Sequence, residues 1–186
     1  MWLKFVVGAV LIYSVIAGPH CDVEEISPFA PSDPEGYSFR LPNNSIPLSY
    51  EILLSTAVHE GDFNFNGTVM IRLRTLMASN NITINFKQLS INEVHLFDEN
   101  SIIIQNYVNF ETDNFTELLV IRPQFELLAN HEYVIQVEYN GVMRTDSYGY
   151  YRGSYVNELG ITRWFGTTQF HATDARHAFP RWDFLP

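Results

Sequence analysis

Cysteine is nearly absent from this chain, which has a single one, Cys21, among 186 residues. One cysteine cannot close an intrachain disulfide, so the fold is not one that disulfides hold together. Two states remain open for Cys21: a free thiol, which we favour, or one half of a bridge between two chains.

Basic residues are also scarce. Lys and Arg total 11 against 21 Asp and Glu, which gives a formal net charge of -10. Nucleic acids and anionic membrane surfaces are bound through basic patches that release counterions. Neither is therefore a predicted partner. The surplus of acid favours solubility and attracts cationic ligands only weakly.

Helical periodicity is missing as well, since no stretch longer than about 10 residues keeps its apolar positions at a 3.6-residue period. Apolar and polar residues alternate instead, and on a strand such residues point to opposite faces. With 46% hydrophobic residues to fill a core, we predict an all-β domain built as an antiparallel β-saddle or sandwich. The alternation covers residues 48–55, 63–74, 82–86 and 133–139, and shorter apolar runs at 89–97, 102–108 and 118–121 predict further strands.

Turn-forming residues separate these predicted strands. Asn80-Asn81 and residues 98–100 (DEN) are predicted turns. Asn140-Gly141, flanked by Tyr139 and Val142, is predicted to be a hairpin turn of the type that needs two positive φ angles.

The N-terminus has the layout of a secretory signal peptide. One basic residue, Lys4, precedes an apolar run over residues 5–16, and we predict cleavage after Ala17, at the end of residues 1–17. A membrane anchor is the alternative, but the run is shorter than the ~20 residues that cross a bilayer. No hydrophobic C-terminal tail signals a lipid anchor. The predicted location is therefore extracellular.

A linker and four glycosylation motifs fit this secretory route. Residues 18–38 are acidic and rich in proline, which predicts an extended linker. Four N-x-S/T sequons follow it, each of which would have to lie on an exposed edge or loop. Their asparagines are Asn43, Asn66, Asn81 and Asn114.

The densest run of aromatic and small polar residues lies near the end of the chain, in residues 149–183. Residues 167–170 are predicted to end a strand. Thr173 is a candidate N-cap for a short helix over residues 174–178. Pro180 ends that helix, because it disfavours helical geometry at the residue before it. Spacing alone predicts only a polar strand end and a connecting turn.

Five short segments carry a resemblance to a known family: residues 37–42 (YSFRLP), 65–69 (FNGTV), 149–155 (GYYRGSY), 168–176 (TQFHATDAR) and 179–183 (FPRWD). Together they resemble the N-terminal domain of zinc aminopeptidases of the aminopeptidase N type. The family patterns are G-F-Y-R-S-x-Y, T-Q-F-E-x-T-x-A-R and F-P-C-W-D-E-P. The resemblance extends over residues 37–183 and is strongest to secreted or membrane-anchored arthropod members.

This resemblance implies a β-saddle, residues 39–183, that packs in cis on a thermolysin-like catalytic domain. Residues 184–186 are expected to be the truncated border to that domain. In the family, the T-Q-F-E loop forms one wall of the active-site cleft, which receives peptide N-termini. By position, Gln169 lines the pocket for the first substrate residue, and His171 stands where an acid or amide helps hold the α-ammonium group.

His171 departs from the family pattern. A neutral imidazole offers one acceptor nitrogen and an imidazolium offers none, so we predict a weaker amine anchor that fails as the pH falls. Two further departures follow: Arg181 replaces the family's Cys, and Phe184-Leu185 stands where Glu-Pro is expected.

The sequence lacks the family's zinc motif H-E-x-x-H and its G-x-M-E-N signature. His59-Glu60 and His131-Glu132 each lack a second His three residues after the Glu. His171 and His177 would fall on different sides of a helix, so they do not form a metal site with Asp174. We therefore expect no cofactor in this chain, since zinc belongs to the parent enzymes, and no catalysis by the chain alone.

Two functions remain open. The chain is either the substrate-cleft domain of an aminopeptidase N-type exopeptidase or a secreted, non-catalytic β-module that binds a peptide, protein or glycan; its oligomeric state is left open. A third outcome is a remnant whose docking surface is exposed and apolar. The candidates for that surface are Trp164, Phe165, Phe170, Phe179 and Trp182.

Overall fold

The computed structural model describes residues 39–171 and 173–183, together with the backbone of Tyr13–Ile16. Cys21, the predicted linker at 18–38, the cleavage point after Ala17 and the predicted border at 184–186 lie outside the described residues. Apart from two short 3-10 helices, every regular element within the described residues is a β-strand. The predicted all-β class is therefore confirmed.

The strands in the described part of the chain are β1 (Tyr13–Ile16), β2 (Ser45–Thr56), β3 (Asn64–Thr75), β4 (Ile82–Asn85), β5 (Ser90–Asp98), β6 (Ile103–Gln105), β7 (Asn109–Asp113), β8 (Leu118–Arg122), β9 (Glu132–Val142), β10 (Gly149–Val156) and β11 (Thr162–Gln169). A six-stranded sheet has the order β1-β2-β3-β9-β5-β6, and a three-stranded sheet has the order β4-β8-β7. The last two strands pair with each other, and all strand pairs are antiparallel.

The core lies between the large sheet and the three-stranded sheet. Alternate residues of β3 are fully buried, and they face equally buried residues of β9 across the ladder. The three-stranded sheet contributes a second buried face, which belongs to the same core cluster. Because one face of each sheet is apolar, stacking the two removes both faces from water. Core residues of the two layers include Val69, Ile71, Leu73, Ile135 and Val137 on one side and Ile82, Ile84, Leu119 and Ile121 on the other.

Asn140-Gly141 is not a turn, so the predicted hairpin there is wrong. Both residues lie inside β9, where they pair with Asn66 and Phe65 of β3, and neither has a positive φ. Glycine is needed at this point for space: a Cβ on Gly141 would lie 2.3 Å from Cζ of Phe65. Asn-Gly is a turn signal in other contexts. Here the ring of Phe65 occupies the space that a side chain at position 141 would need.

The predicted C-terminal helical turn is confirmed as the 3-10 helix η2 (Asp174–His177), which ends one residue earlier than predicted. Thr173 occupies the N-cap position, but its side chain makes no capping hydrogen bond, so its predicted role is wrong. A second turn, η1 (Val58–Glu60), was not predicted. It ends at Gly61, whose φ of 84° is easily adopted only by glycine.

The edge strand β1 lies within the predicted signal peptide. It pairs with β2, with Tyr13 opposite Ile52 and Ile16 opposite Ser49. A chain cleaved after Ala17 would lose this strand, and β2 would become the sheet edge. Cleavage itself stays a prediction. Within the described residues, no helix is both long and apolar enough to cross a bilayer.

Candidate functional site

The hairpin formed by β10 and β11 carries Gln169 at its base. The two strands pair without interruption from Gly149 opposite Gln169 to Val156 opposite Thr162. Gln169 is therefore held in the last pair of the ladder, where the chain leaves the hairpin. The predicted strand end at this point is confirmed.

Gly149 allows η2 to pack directly on the base of this hairpin. Its φ is 64°, in the region that favours glycine, and an added Cβ would lie 2.6 Å from Cβ of His177. The same Cβ would approach the carbonyl oxygen of Asp174 to 3.0 Å. Strand β10, which pairs with Gln169, therefore also contacts η2, the helix that follows His171.

Aromatic contacts fix the hairpin to the large sheet. The guanidinium of Arg152 on β10 lies 3.7 Å from the ring centroid of Phe63, a favourable cation–π arrangement. The ring of Phe63 also contacts the ring of Trp164 on β11, with centroids 4.9 Å apart and an angle of 71° between the ring planes. The hairpin is thus held by side chains from both of its strands.

Gln169 and His171 are both exposed, and neither side chain makes a hydrogen bond to another described residue. Phe170 between them packs edge-on against the buried Phe179, with ring centroids 5.8 Å apart. The backbone carbonyl of His171 accepts the N–H of Asp174 at 3.2 Å. The segment therefore has an anchored centre and two polar side chains available to a ligand.

After η2 the chain passes Asn85, the last residue of β4. Asn85 and Arg181 exchange two backbone hydrogen bonds of 2.7 and 2.9 Å, which form an isolated antiparallel bridge. The backbone N–H of the buried Trp182 donates to the hydroxyl oxygen of Tyr50 at 3.1 Å. Burial raises the pKa of Tyr50 to about 12, so this hydroxyl is neutral at physiological pH.

Five charged side chains join η2, the β4 exit and the C-terminal segment, and we call them the ion cluster. Arg176 contacts Glu117 at 2.6 Å and Asp183 at 2.5 Å. Lys87 lies 2.5 Å from the other oxygen of Glu117, and Arg181 lies 2.6 Å from the other oxygen of Asp183. Each carboxylate is therefore shared by two cations, and Arg176 links the two halves.

The ion cluster gives a reason for one departure from the family pattern. Arg181 stands where the family has Cys, and its guanidinium adds a second cation to Asp183. Asp183 is the least exposed member, with 4% of its side chain accessible. The other departure, Phe184-Leu185, lies outside the described residues.

His177 is buried beside the ion cluster. Burial lowers its pKa, and the charges of Arg144 and Lys87 lower it further, while the carbonyl and carboxylate of Asp174 act in the opposite direction. Its Nδ1 lies 3.3 Å from the carbonyl oxygen of Asp174, and its Nε2 has no hydrogen-bond partner among the described residues. The folded protein therefore favours the neutral form of this imidazole.

We expect the domain to lose stability as the pH falls below about 6.5, the ordinary value for histidine. His177 is protonated more easily in the unfolded chain than in the folded one. Its contribution to the free energy of unfolding is therefore fully present above that pH. It is lost as the pH falls towards the lower folded-state pKa. Urea unfolding at a series of pH values between about 7.5 and 5 measures the loss. The variant His177→Gln should have a flatter profile in this window; an unchanged slope would contradict the prediction.

Zinc does not fit the donors present in residues 39–171 and 173–183. No group of three or more His, Cys, Asp or Glu side chains in these residues could hold a metal ion. His59 and Glu60 lie together on η1 with 3.5 Å between Nε2 and Oε1, and both are exposed. His131 packs against the ring of Tyr133, with centroids 4.8 Å apart.

The four sequon asparagines occupy different environments. Asn43, Asn66 and Asn114 are exposed, Asn43 before β2, Asn66 within β3 and Asn114 in the turn before β8. Asn81 is partly buried, and its Oδ1 accepts a hydrogen bond from Asn44 at 3.3 Å. Glycosylation of these residues stays a prediction.

The candidate apolar surface divides into core and exposed residues. Phe179 and Trp182 are buried in the core cluster, so they are not part of a surface. Phe165 and Phe170 are exposed, and Trp164 is partly covered by Phe63. An apolar surface remains on the hairpin, where Tyr155, Val156, Leu159 and Ile161 are also exposed.

Sequence reasoning did not find Glu117 and Lys87. They are distant from residues 168–183 in the chain, and neither forms part of a motif. The backbone of Glu117 has an unusual φ of 59°, in the turn between β7 and β8. A glutamate in the sequence does not predict this conformation. Asp183 and Arg176 lie in quoted motifs, so their pairing could have been proposed.

Comparison with known proteins identifies the family of this chain. Residues 46–184 match the family described as the Peptidase M1 N-terminal domain. Similar proteins include "Aminopeptidase N" of Rattus norvegicus, 32% identical over 153 residues, which covers 78% of this chain and 16% of the relative. "Membrane alanyl aminopeptidase" of Heliothis virescens is 29% identical over 150 residues, 78% of this chain and 15% of the relative.

A third relative is the human "Thyrotropin-releasing hormone-degrading ectoenzyme". It is 30% identical over 144 residues, which covers 77% of this chain and 13% of the relative. The matched part of the chain therefore spans about a sixth or less of the length of each of these curated relatives.

Proposed function

This chain belongs to the Peptidase M1 N-terminal domain family, and from that membership we propose that it is the substrate-cleft domain of a zinc aminopeptidase, an enzyme that removes N-terminal residues from peptides. The names of its relatives, such as aminopeptidase N, support this reaction. Since the match covers 15–16% of those two relatives, the zinc and the water-activating groups would belong to a catalytic domain in cis.

One observation carries the proposal. Gln169 and His171 are exposed on either side of Phe170, and the segment that bears them is anchored by the hairpin ladder on one side and η2 on the other. An exopeptidase must recognise a chain end that carries an α-ammonium group, and rigidly held acceptors do so at a low entropic cost. We assign the pocket for the first substrate residue to Gln169 and the ammonium contact to His171.

His171 makes this contact weaker than a carboxylate would. The neutral imidazole has one acceptor nitrogen, whereas a carboxylate has two oxygens and a negative charge that strengthens the hydrogen bond. Restoring a carboxylate at this position should therefore strengthen the contact.

We expect His171→Glu to lower KM about fivefold or more, because an anionic acceptor that pairs with the ammonium charge replaces an uncharged acceptor. The test is a fusion in which this chain replaces the matching segment of rat aminopeptidase N, assayed with an alanine arylamide. The unfused chain, with and without added zinc, gives the baseline.

The control for this substitution is His59→Glu, which makes the same change at an exposed histidine on η1. It should leave KM unchanged, since η1 makes no part of the proposed cleft wall. If His171→Glu brings no gain in a fusion that cleaves the substrate, His171 is not the ammonium contact.

We also propose an extracellular or cell-surface location. Two relatives are named a membrane aminopeptidase and an ectoenzyme, and the predicted signal peptide and exposed sequons are compatible with such a route. Peptide N-termini are the proposed ligands.

A further inference from the structure

Glu117 connects three segments that are far apart in the chain. It lies in the turn between β7 and β8, where its backbone carbonyl accepts the N–H of Phe86 at 3.0 Å. Its carboxylate contacts Nζ of Lys87 at 2.5 Å and Nη1 of Arg176 at 2.6 Å. The residue thus joins the three-stranded sheet to η2.

The helix η2 depends on such contacts for its position. It has four residues and no side-chain cap, and helical segments of this length are not stable by themselves. Its external contacts include the ion pairs of Arg176, the hydrogen bond from Lys87 N–H to the carbonyl of Arg176 at 2.9 Å, the burial of Ala175 and His177, and the packing on Gly149. Arg176 therefore carries most of the polar anchoring.

One hydrogen bond joins η2 directly to the backbone of His171. The N–H of Asp174, the first residue of η2, donates to the carbonyl oxygen of His171. We propose that Glu117 is a positioning residue: by holding Arg176 it fixes η2, and through η2 it fixes the backbone at His171. The consequence for substrate binding rests on the function proposed above.

The electrostatics of the cluster explain why Glu117 has this effect. Burial alone would raise the pKa of Glu117, but the hydrogen bonds and charges of Lys87 and Arg176 outweigh it and lower the pKa. With Glu117 neutral, Lys87 would lose the carboxylate that it contacts, and Arg176 and Arg181 would share Asp183. Arg176 has 13% of its side chain exposed, so solvent would compensate it poorly.

Amide hydrogen exchange of the full chain tests the proposal. In Glu117→Gln we expect exchange about tenfold faster at Asp174, Arg176 and Ala178, whose N–H groups form the hydrogen bonds of η2. Amides of β3 and β9 should keep their rates. The control is Glu111→Gln, which breaks the exposed Glu111–Arg122 pair between β7 and β8 and should leave η2 unchanged.

A merely structural role would have another signature. Equal acceleration in η2 and in β3 would overturn the proposal, as would no acceleration in η2. If Glu117→Gln does not fold, Glu117→Asp takes its place: its shorter carboxylate keeps the charge but reaches both cations less well, so a smaller acceleration confined to η2 is expected. A uniform acceleration in this variant also overturns the proposal.

Kinetics of the aminopeptidase fusion then separate this proposal from the proposed function. Glu117→Gln should raise KM at least about threefold with little change in kcat, because uniform binding is weakened, and Glu117→Asp should recover part of the loss. Faster exchange in η2 with unchanged KM upholds the positioning of the His171 backbone and contradicts the substrate role of that residue. Unchanged exchange contradicts the positioning whatever the kinetics show.

Discussion

Gly141→Ala is expected to destabilise the domain by about 2–3 kcal/mol, the range for forcing an added group into a packed core. The new methyl carbon would lie 2.3 Å from Cζ and 2.6 Å from Cε1 of Phe65, and 2.9 Å from Cδ2 of Leu89. The ring of Phe65 has little room to move, because Tyr150 packs against it with centroids 5.1 Å apart. Urea unfolding monitored by fluorescence gives the free-energy difference.

Gly160→Ala is the matched control. Gly160 has a φ of 72°, and nothing lies within 4 Å of an added Cβ, so alanine there meets only the backbone strain of about 1 kcal/mol. The two variants therefore separate crowding from conformation. A loss at Gly141 no larger than that at Gly160 would mean that the Phe65 ring does not occupy the space above Gly141.

Strand prediction from the sequence worked where burial is recorded locally. Period-two alternation located β2, β3, β4 and β9, because the alternate apolar residues of each face the core and the local sequence records that burial. Asn140-Gly141 was misassigned because glycine serves turns and close packing alike, and only the position of Phe65 on the neighbouring strand distinguishes them. That information is not local.

β7 was missed for a related reason. Its residues, 109–113 (NFETD), are largely exposed and show no alternation of apolar side chains. The strand forms by pairing with β8, and this pairing has no register shift. A strand whose stability comes from its neighbour leaves a weak signal in its own sequence.

At the candidate site, motif resemblance identified Gln169 and His171, and the structure shows both exposed beside each other at a strand end. What resemblance could not supply was their support. Glu117 is brought to η2 by the pairing of β4 with β8, and this register depends on the whole sheet. Residues that position a site from elsewhere in the chain emerge only with the fold.

The second large effect is expected from Asp183→Asn, which should destabilise the domain by about 3 kcal/mol, as when one partner of a buried ion pair is removed. The carboxylate is 4% exposed and contacts both Arg176 and Arg181. Asparagine has nearly the same shape but no charge, and its amide group would bring a donor next to one guanidinium. Arg181 would then lose the carboxylate that it contacts, and Arg176 would keep only Glu117, which it shares with Lys87. Chemical unfolding of the full chain measures the loss.

A double-mutant cycle with Arg181→Met identifies the cause. If charge balance dominates, Asp183→Asn should be less destabilising in the Arg181→Met background, since the guanidinium group that pairs with Asp183 and not with Glu117 is gone. Asp146→Asn removes the charge from an exposed carboxylate that pairs with Arg144, and it should change stability little because water screens such pairs. Equal losses from Asp183→Asn in both backgrounds would contradict the charge argument. They would assign the loss instead to the hydrogen bonds that Asp183 makes with Arg176, the contact that ties the end of the chain to the helix beside the candidate site.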